Sequence, residues 1–148
     1  MSALRLATMD DLDRLTTLVA GFHAGEGIVQ DDDTRRGALA PLLEGSPHGA
    51  IWMIGPRSAP VGYIAVSFGW SIEFGGLDAF LDEFYVRERV RGRGMGSEAM
   101  LALTRALAGQ GIAAMHLEVD TDNMRARTLY ERIGFASRDR YHLMTRML

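Results

Sequence analysis

Cysteine is absent from the 148 residues. Without a thiol the chain forms no disulfide, binds no zinc through thiolates and carries no acyl group on sulfur, so any acyl transfer must proceed without a cysteine intermediate. An excess of positive charge is also lacking, the formal net charge being −3. Affinity for nucleic acid rests on neutralising phosphates, so nucleic acid is not an expected partner. No apolar run approaches the ~18 residues of a membrane span, and no basic-then-apolar leader pattern opens the sequence. The expectation is a soluble cytoplasmic protein with no membrane partner. The histidines His23, His48, His116 and His142 share no metal-ligand spacing, so no metal site is expected.

What is present is organised around Leu81 to Arg105. Phe80-Leu81-Asp82-Glu83-Phe84-Tyr85-Val86 reads as a strand, Arg91-Gly92-Arg93-Gly94-Met95-Gly96 as a glycine-rich turn, and Ala99, Met100, Leu103 and Leu107 recur at helical spacing. A helix that starts just past glycines offers unpaired N–H groups and the positive end of its dipole, and the missing Cβ atoms admit an anion closely. Such a turn is a seat for a pyrophosphate. A Walker A loop needs Gly-Lys followed by Ser or Thr, and Gly96-Ser97-Glu98 lacks that lysine, which argues against nucleotide triphosphate hydrolysis. Gly94-x-Gly96-x-x-Ala99, with Glu118 further on, satisfies a loose dinucleotide fingerprint and leaves a dinucleotide-binding oxidoreductase as an alternative. Against it, Arg87 to Arg93 separates strand from glycines, and little chain follows for a doubly wound sheet.

With 47% hydrophobic residues the chain suffices for one substantial core, and residues 1–148 are expected to form a single domain. Leu4 to Ala7 alternates as a strand. Thr8 with Asp11 is a near-variant of a capping signal, opening a helix to about His23 whose stripe is Leu12, Leu15, Leu18, Val19 and Phe22. Asp31-Asp32-Asp33 supplies either an acidic recognition loop or, the preferred reading, N-terminal charge on a second helix ending near Glu44, which Pro41 should kink or break. Ala50 to Ile54 and Val61 to Phe68 form a hairpin. Trp70, Ile72 and Phe74, between Gly69 and Gly76, could line a pocket, cover the sheet or form a dimer contact, so a homodimer stays open. Leu77 to Val86, Ala113 to Val119 and Tyr141 to Met147 are further strands, and Asn123 to Ile133 a helix burying Ala126, Leu129, Tyr130 and Ile133, capped by Gly134. This order is α+β with a mixed sheet, and each late strand–helix–strand passage should place its strands parallel.

Arg91-x-x-Gly94-x-Gly96 after Tyr85-Val86 resembles the acetyl-coenzyme A pyrophosphate loop of the GCN5-related N-acetyltransferase (GNAT) superfamily. His116-Leu117-Glu118-Val119, then Asn123, Ala126, Leu129-Tyr130 and Gly134-Phe135, resembles that superfamily's next strand and helix in order and spacing. The two matches cover Phe80 to Phe135. The resemblance implies a central, mostly antiparallel sheet of six to seven strands flanked by about four helices, with a splayed strand pair receiving the pantetheine arm. It implies an acetyl-CoA-dependent N-acetyltransferase in which a primary amine attacks the thioester directly. Tyr85, Val86, Arg91, Gly92, Arg93, Gly94, Met95, Gly96, Ser97, Asn123 and Tyr130 are then the expected coenzyme contacts.

Such a reaction needs an unprotonated amine, a stabilised oxyanion and a proton for the thiolate. Tyr130 resembles the family's tyrosine beside the coenzyme sulfur, with an ordinary core tyrosine as the alternative. Glu118 stands where protein N-terminal acetyltransferases carry a glutamate base, and strand alternation sets it opposite Leu117 and Val119. Asp82 and Glu83 lie in a run resembling diamine acetyltransferases; neighbours on a strand point oppositely, so only one should face the cleft unless a bulge intervenes, and Glu83 is favoured. Asn123 either contacts the coenzyme or only caps its helix. The acceptor is a small-molecule or peptide amine, with a small cationic amine favoured by the acidic residues. A noncatalytic coenzyme A-binding domain is the alternative from another functional class.

Overall fold

A computed structural model describes residues 4–148, which fall into two compact units, one ending at Glu118 and one running from Val119 to Leu148. In the first unit, strand β1 (Leu4–Leu6) is followed by helices α1 (Leu12–Glu26) and α2 (Asp32–Leu43). Strands β2 (Gly49–Ile54), β3 (Gly62–Ser71) and β4 (Gly76–Val86) come next, then helix α3 (Met95–Gly109) and strand β5 (Ala114–Leu117). The strands form one sheet in chain order, antiparallel except for the parallel pair β4 and β5 that α3 connects. This is the expected α+β architecture, with five strands among the described residues instead of six to seven. One parallel pair is not the doubly wound sheet of a dinucleotide fold.

Local chemistry explains the first turn. Both Asp11 oxygens accept from Arg5, at 2.9 and 2.7 Å, and Asp11 Oδ2 also accepts the Thr8 N–H at 2.8 Å. The carboxylate therefore closes the chain reversal between β1 and α1. Leu12, Leu15, Leu18 and Val19 form the buried stripe of α1, and Gly27, at φ 70°, ends the helix in the left-handed conformation. Asp31 caps α2 by accepting the Thr34 N–H at 2.8 Å, with Asp32 and Asp33 in the first turn, so the acidic run is a helix start. Pro41 lies inside α2 and does not break it. It stands in the last turn, where its missing N–H removes a single bond from a helix that is about to end.

Directly opposed residues of an antiparallel pair share a face. Ile51 opposes Ala65, Met53 opposes Tyr63, and Tyr63 opposes Tyr85; this face packs with α1 and α2 into one core containing Leu15, Leu18, Leu39 and Leu43. Each such aliphatic side chain contributes about 1.5–3 kcal/mol by leaving water. Helix α3 packs on β1, β2 and β4 and buries Ala99, Met100, Leu103 and Leu107.

Two strand expectations change. Gly69, Trp70 and Ser71 continue β3, opposite Asp78, Leu77 and Gly76, so the apolar connection is the end of a longer hairpin. Trp70 and Ile72 are 71% and 92% exposed. Tyr141 to Met147 forms no strand: alternation without a partner ladder has no backbone bonds to hold it, and Tyr141 instead lies near the Arg138 and Arg140 guanidinium groups, 4.7 and 5.3 Å from its ring centroid. In the second unit α4 (Met124–Arg132) has no fully buried residue. Ala126, Leu129, Tyr130 and Ile133 are half-buried, and Gly134, at φ 106°, turns the chain as expected.

Candidate functional site

The loop between β4 and α3 is built by glycine and arginine. Gly92 and Gly94 adopt φ 82° and 79°, and Gly94 is the N-cap of α3. No side chain caps that helix, so its first N–H groups stay available to an anion. A Cβ on Gly94 would meet nothing within 4 Å, leaving an open approach to the turn. On Gly96 it would lie 2.9 Å from Phe84 Cζ and 3.4 Å from Val86 Cγ2, so this glycine also seats α3 against β4. Arg91 Nε donates to the Val86 carbonyl at 2.7 Å, and its guanidinium lies 5.4 Å from the Tyr85 ring centroid. Arg91 thus folds the loop back on the strand end. Arg93 is exposed, and Met95, Gly96 and Ser97 are half-buried in the first turn.

The sheet opens beside this loop. β4 and β5 pair only from Asp78 with Ala114 to Leu81 with Leu117, while β4 continues to Val86. Past Leu81 the two strands share no backbone bonds, which is the wedge a splayed pair requires. At that point β4 carries a bulge: Val66 opposes Leu81 and Ala65 opposes Glu83, leaving Asp82 as the extra residue. The bulge reverses alternation, so Leu81 and Glu83 fall on opposite faces and Glu83 joins Tyr63 and Tyr85 on the side of α1.

Glu83 is fully engaged there. Its Oε1 accepts from the Tyr63 hydroxyl at 2.7 Å, and its Oε2 lies 2.8 Å from His23 Nε2. His23, 5% exposed in the last turn of α1, accepts at Nδ1 from Arg35 Nε at 3.2 Å, and Arg35 is held by Asp32 at 2.8 Å. Burial, then the charge and hydrogen bond of Glu83, push the Tyr63 phenol far above its ordinary value, so it remains a donor. Asp82 is not engaged in this way. Desolvation first, then the charges of Glu83 and Glu118, push its carboxyl up, with His23 acting in the opposite sense. Glu118 is exposed and lies just past Leu117, where β5 has ended, so the alternation expected of it does not apply.

The structure therefore gathers Asp82, Glu83 and Glu118 at the opening of the sheet, beside the loop Arg91–Ser97. Asn123 and Tyr130 belong to the second unit. Asn123 Oδ1 accepts the Ala126 N–H at 3.1 Å, an ordinary helix cap. Tyr130 is half-buried, its ring edge-on to Phe135 at 5.9 Å. Sequence reasoning missed His23, Tyr63 and Arg35. Only His23 left a signal, a histidine one residue beyond the apolar stripe of α1. Among the described residues no group of three His, Cys, Asp or Glu side chains is arranged to hold a metal, and no helix is long and apolar enough to cross a membrane.

Comparison with known proteins bears on this arrangement. The uncharacterized N-acetyltransferase YycN of Bacillus subtilis is 39% identical over 62 residues, covering 42% of this chain and 40% of that protein. The crystal structure of integron cassette protein HFX_CASS3, from the mobile metagenome of Cole Harbour Salt Marsh, superposes with a TM-score of 0.87 at 30% identity, over 99% of this chain and 91% of that one. The aminoglycoside N-acetyltransferase AAC(6')-Iy in complex with CoA shares the fold, with a TM-score of 0.82 at 16% identity, over 100% of this chain and 96% of that one. The model of the acetyltransferase (GNAT) family matches residues 13–135, spanning the wedge, the glycine loop and α4, and the chain belongs to that family.

Proposed function

We propose that this chain transfers the acetyl group of acetyl-CoA to the primary amine of a small cationic molecule, by direct attack of the amine on the thioester. The observation that carries the reading is the gathering of Asp82, Glu83 and Glu118 where β4 and β5 part, with the Asp82 carboxyl held above its ordinary range. Three carboxylates in one electrostatic neighbourhood attract an ammonium group. A carboxyl with raised proton affinity is also better matched than an ordinary aspartate to taking a proton near neutral pH. The loop Arg91–Ser97 fits a pyrophosphate, since left-handed Gly92 and Gly94 lead into a helix start that no side chain caps. A CoA complex of a protein with this fold supports the same ligand.

Acetyl-CoA, when bound, supplies the acyl group as an activated thioester. Asp82 takes the proton of the incoming ammonium group, which frees the nitrogen lone pair for the new C–N bond as the C–S bond breaks. The Tyr130 phenol is the proton donor assigned to the departing thiolate, and the second amine proton, lost as the nitrogen becomes an amide, replaces the one the phenol gives up. Exposed Glu118, together with the field of the hydrogen-bonded Glu83 carboxylate, favours the positive charge of the acceptor near Asp82. Residues 1–148 work as one domain in this reading, supported by a family match that runs from 13 to 135.

The test is thiol release from acetyl-CoA over a panel of polyamines, aminoglycosides and peptides, with product masses recorded. The sequence contains no lysine, so side-chain amines of the enzyme do not compete for acetyl. Asp82→Asn should lower kcat/KM by about 10²–10⁴-fold and remove the acid limb of its pH profile, with coenzyme affinity unchanged. Tight coenzyme binding without transfer to any amine overturns the reading in favour of a noncatalytic binding domain. Transfer to peptide N-termini alone keeps the chemistry and overturns the small-amine assignment.

A further inference from the structure

His23 stands inside a chain of bonds drawn from four elements, between Arg35 on α2 and Glu83 on β4, with Tyr63 on β3 bonded beyond Glu83 and His23 itself on α1. A buried polar group on a helix stripe usually costs stability unless every bond is satisfied, and here both ring nitrogens are satisfied. The order of the bonds fixes the proton. Arg35 Nε can only donate, so His23 Nδ1 accepts, and the single imidazole proton lies on Nε2, directed at Glu83 Oε2. A second proton on Nδ1 would have to displace the Arg35 bond and face a guanidinium charge. Asp32 holds Arg35 from the same helix.

Both oxygens of Glu83 thus receive donors from the α1 side of the sheet. The adjacent residue, Asp82, is the one the bulge leaves outside this network. We propose that His23 is a positioning residue which, as a neutral Nε2–H donor fixed by Arg35, pins the Glu83 carboxylate on the α1 face so that Asp82 meets the acceptor amine. This rests on the acetyltransferase reading above. The charged and titratable groups bonded to His23 or to its partners are Arg35 and Asp32 on α2, Tyr63 on β3 and Glu83 on β4, with Asp82 within electrostatic reach. With Glu83 pinned, its negative charge stays beside Asp82 and favours proton uptake there.

Two substitutions separate positioning from proton relay and from packing. His23→Gln keeps one donor for Glu83 and one acceptor for Arg35 but cannot titrate; His23→Leu keeps bulk and removes both bonds. In His23→Leu, kcat/KM for the acceptor should fall by about 10–100-fold, as expected for a lost hydrogen bond to a charged group, and the acid limb of the profile should move. Coenzyme affinity should not change. His23→Gln should recover most of that loss with the wild-type profile. Nitrogen-15 spectra of histidine-labelled protein should show His23 neutral, with the proton on Nε2, at neutral pH.

An imidazolium His23, or a His23→Gln variant as impaired as His23→Leu, overturns the proposal in favour of a titrating relay. A His23→Leu variant with lowered Tm but wild-type kcat/KM and pH profile overturns it in favour of packing alone. If the wild type acetylates no amine, the acetyltransferase reading falls and the positioning role falls with it. If the wild type turns over normally and only the His23 signatures fail, the positioning role falls alone.

Discussion

Tyr130 has a packing role and, in the proposed reaction, an acid role, and one substitution separates them. Its ring packs edge-on against Phe135 at 5.9 Å, and the Phe135 N–H returns to its carbonyl at 3.0 Å, so part of the residue serves the end of α4. The hydroxyl is the part assigned to the thiolate. Tyr130→Phe keeps the ring and should lower kcat by about 10–1000-fold with coenzyme binding nearly unchanged, as general-acid assistance implies. An unaltered kcat, measured where chemistry limits turnover, returns Tyr130 to a packing role. The acids at the wedge were legible as residue types, but their arrangement was not. Whether Asp82 or Glu83 faces the opening depends on a bulge set by pairing with Ala65 and Val66, and nothing within the Leu81–Glu83 run signals it. The His23 network was illegible for a related reason, since its members lie on four elements and meet only through the sheet's packing with α1 and α2.

At the scale of the element, the strand–loop–helix core of the molecule was read nearly residue by residue, because its signals are local. Aromatic and apolar residues extend β4 to Val86, left-handed glycines turn the chain, and a 3.6-residue period runs through α3. Pro41 and the segment Tyr141 to Met147 were misread where a local signal needed its surroundings. A proline is tolerated when few helical bonds remain to be lost, and an alternating segment needs a partner ladder to become a strand. The function of Gly96 likewise comes from a neighbouring element. An added Cβ would strike Phe84 before it obstructed an anion, so Gly96→Val should push the first turn of α3 off β4 and misplace the N–H groups of the loop. Coenzyme affinity should fall by more than about tenfold, as expected when 1.4 kcal/mol or more of binding is lost, while circular dichroism reports a retained fold. Phe84→Ala in the same chain should restore part of the affinity. No recovery in that double variant would locate the obstruction in the phosphate seat itself.

Over the whole molecule the two perturbed aspartates act on stability in opposite directions. Asp11 is held low, first by its hydrogen bonds to Arg5 and against the opposing effect of burial. A lowered folded value means that stabilisation is complete above the unfolded carboxylate value of about 3.9 and is lost as pH falls through the folded one. Asp82 is held high, so the folded protein keeps that proton more readily than the unfolded chain does. Its ionisation therefore costs stability progressively as pH rises from about 3.9 through the folded value, and the cost is constant above it. Asp82 is solvent-exposed, so solvent screens this cost and it is smaller than the gain from the buried Asp11 pair. Thermal unfolding followed from about pH 3 to pH 8 should separate the two. Asp11→Asn breaks a paired, largely buried carboxylate and should cost about 1.5–3 kcal/mol at neutral pH, a fall in Tm of roughly 3–12 °C that shrinks in acid. Asp82→Asn should raise Tm at neutral pH and lose that advantage below the carboxylate range, while its acetyl transfer falls. A neutral-pH Tm that drops in Asp82→Asn would show the carboxylate to be a stabilising member of the wedge, and its assignment as the strained base would have to be abandoned.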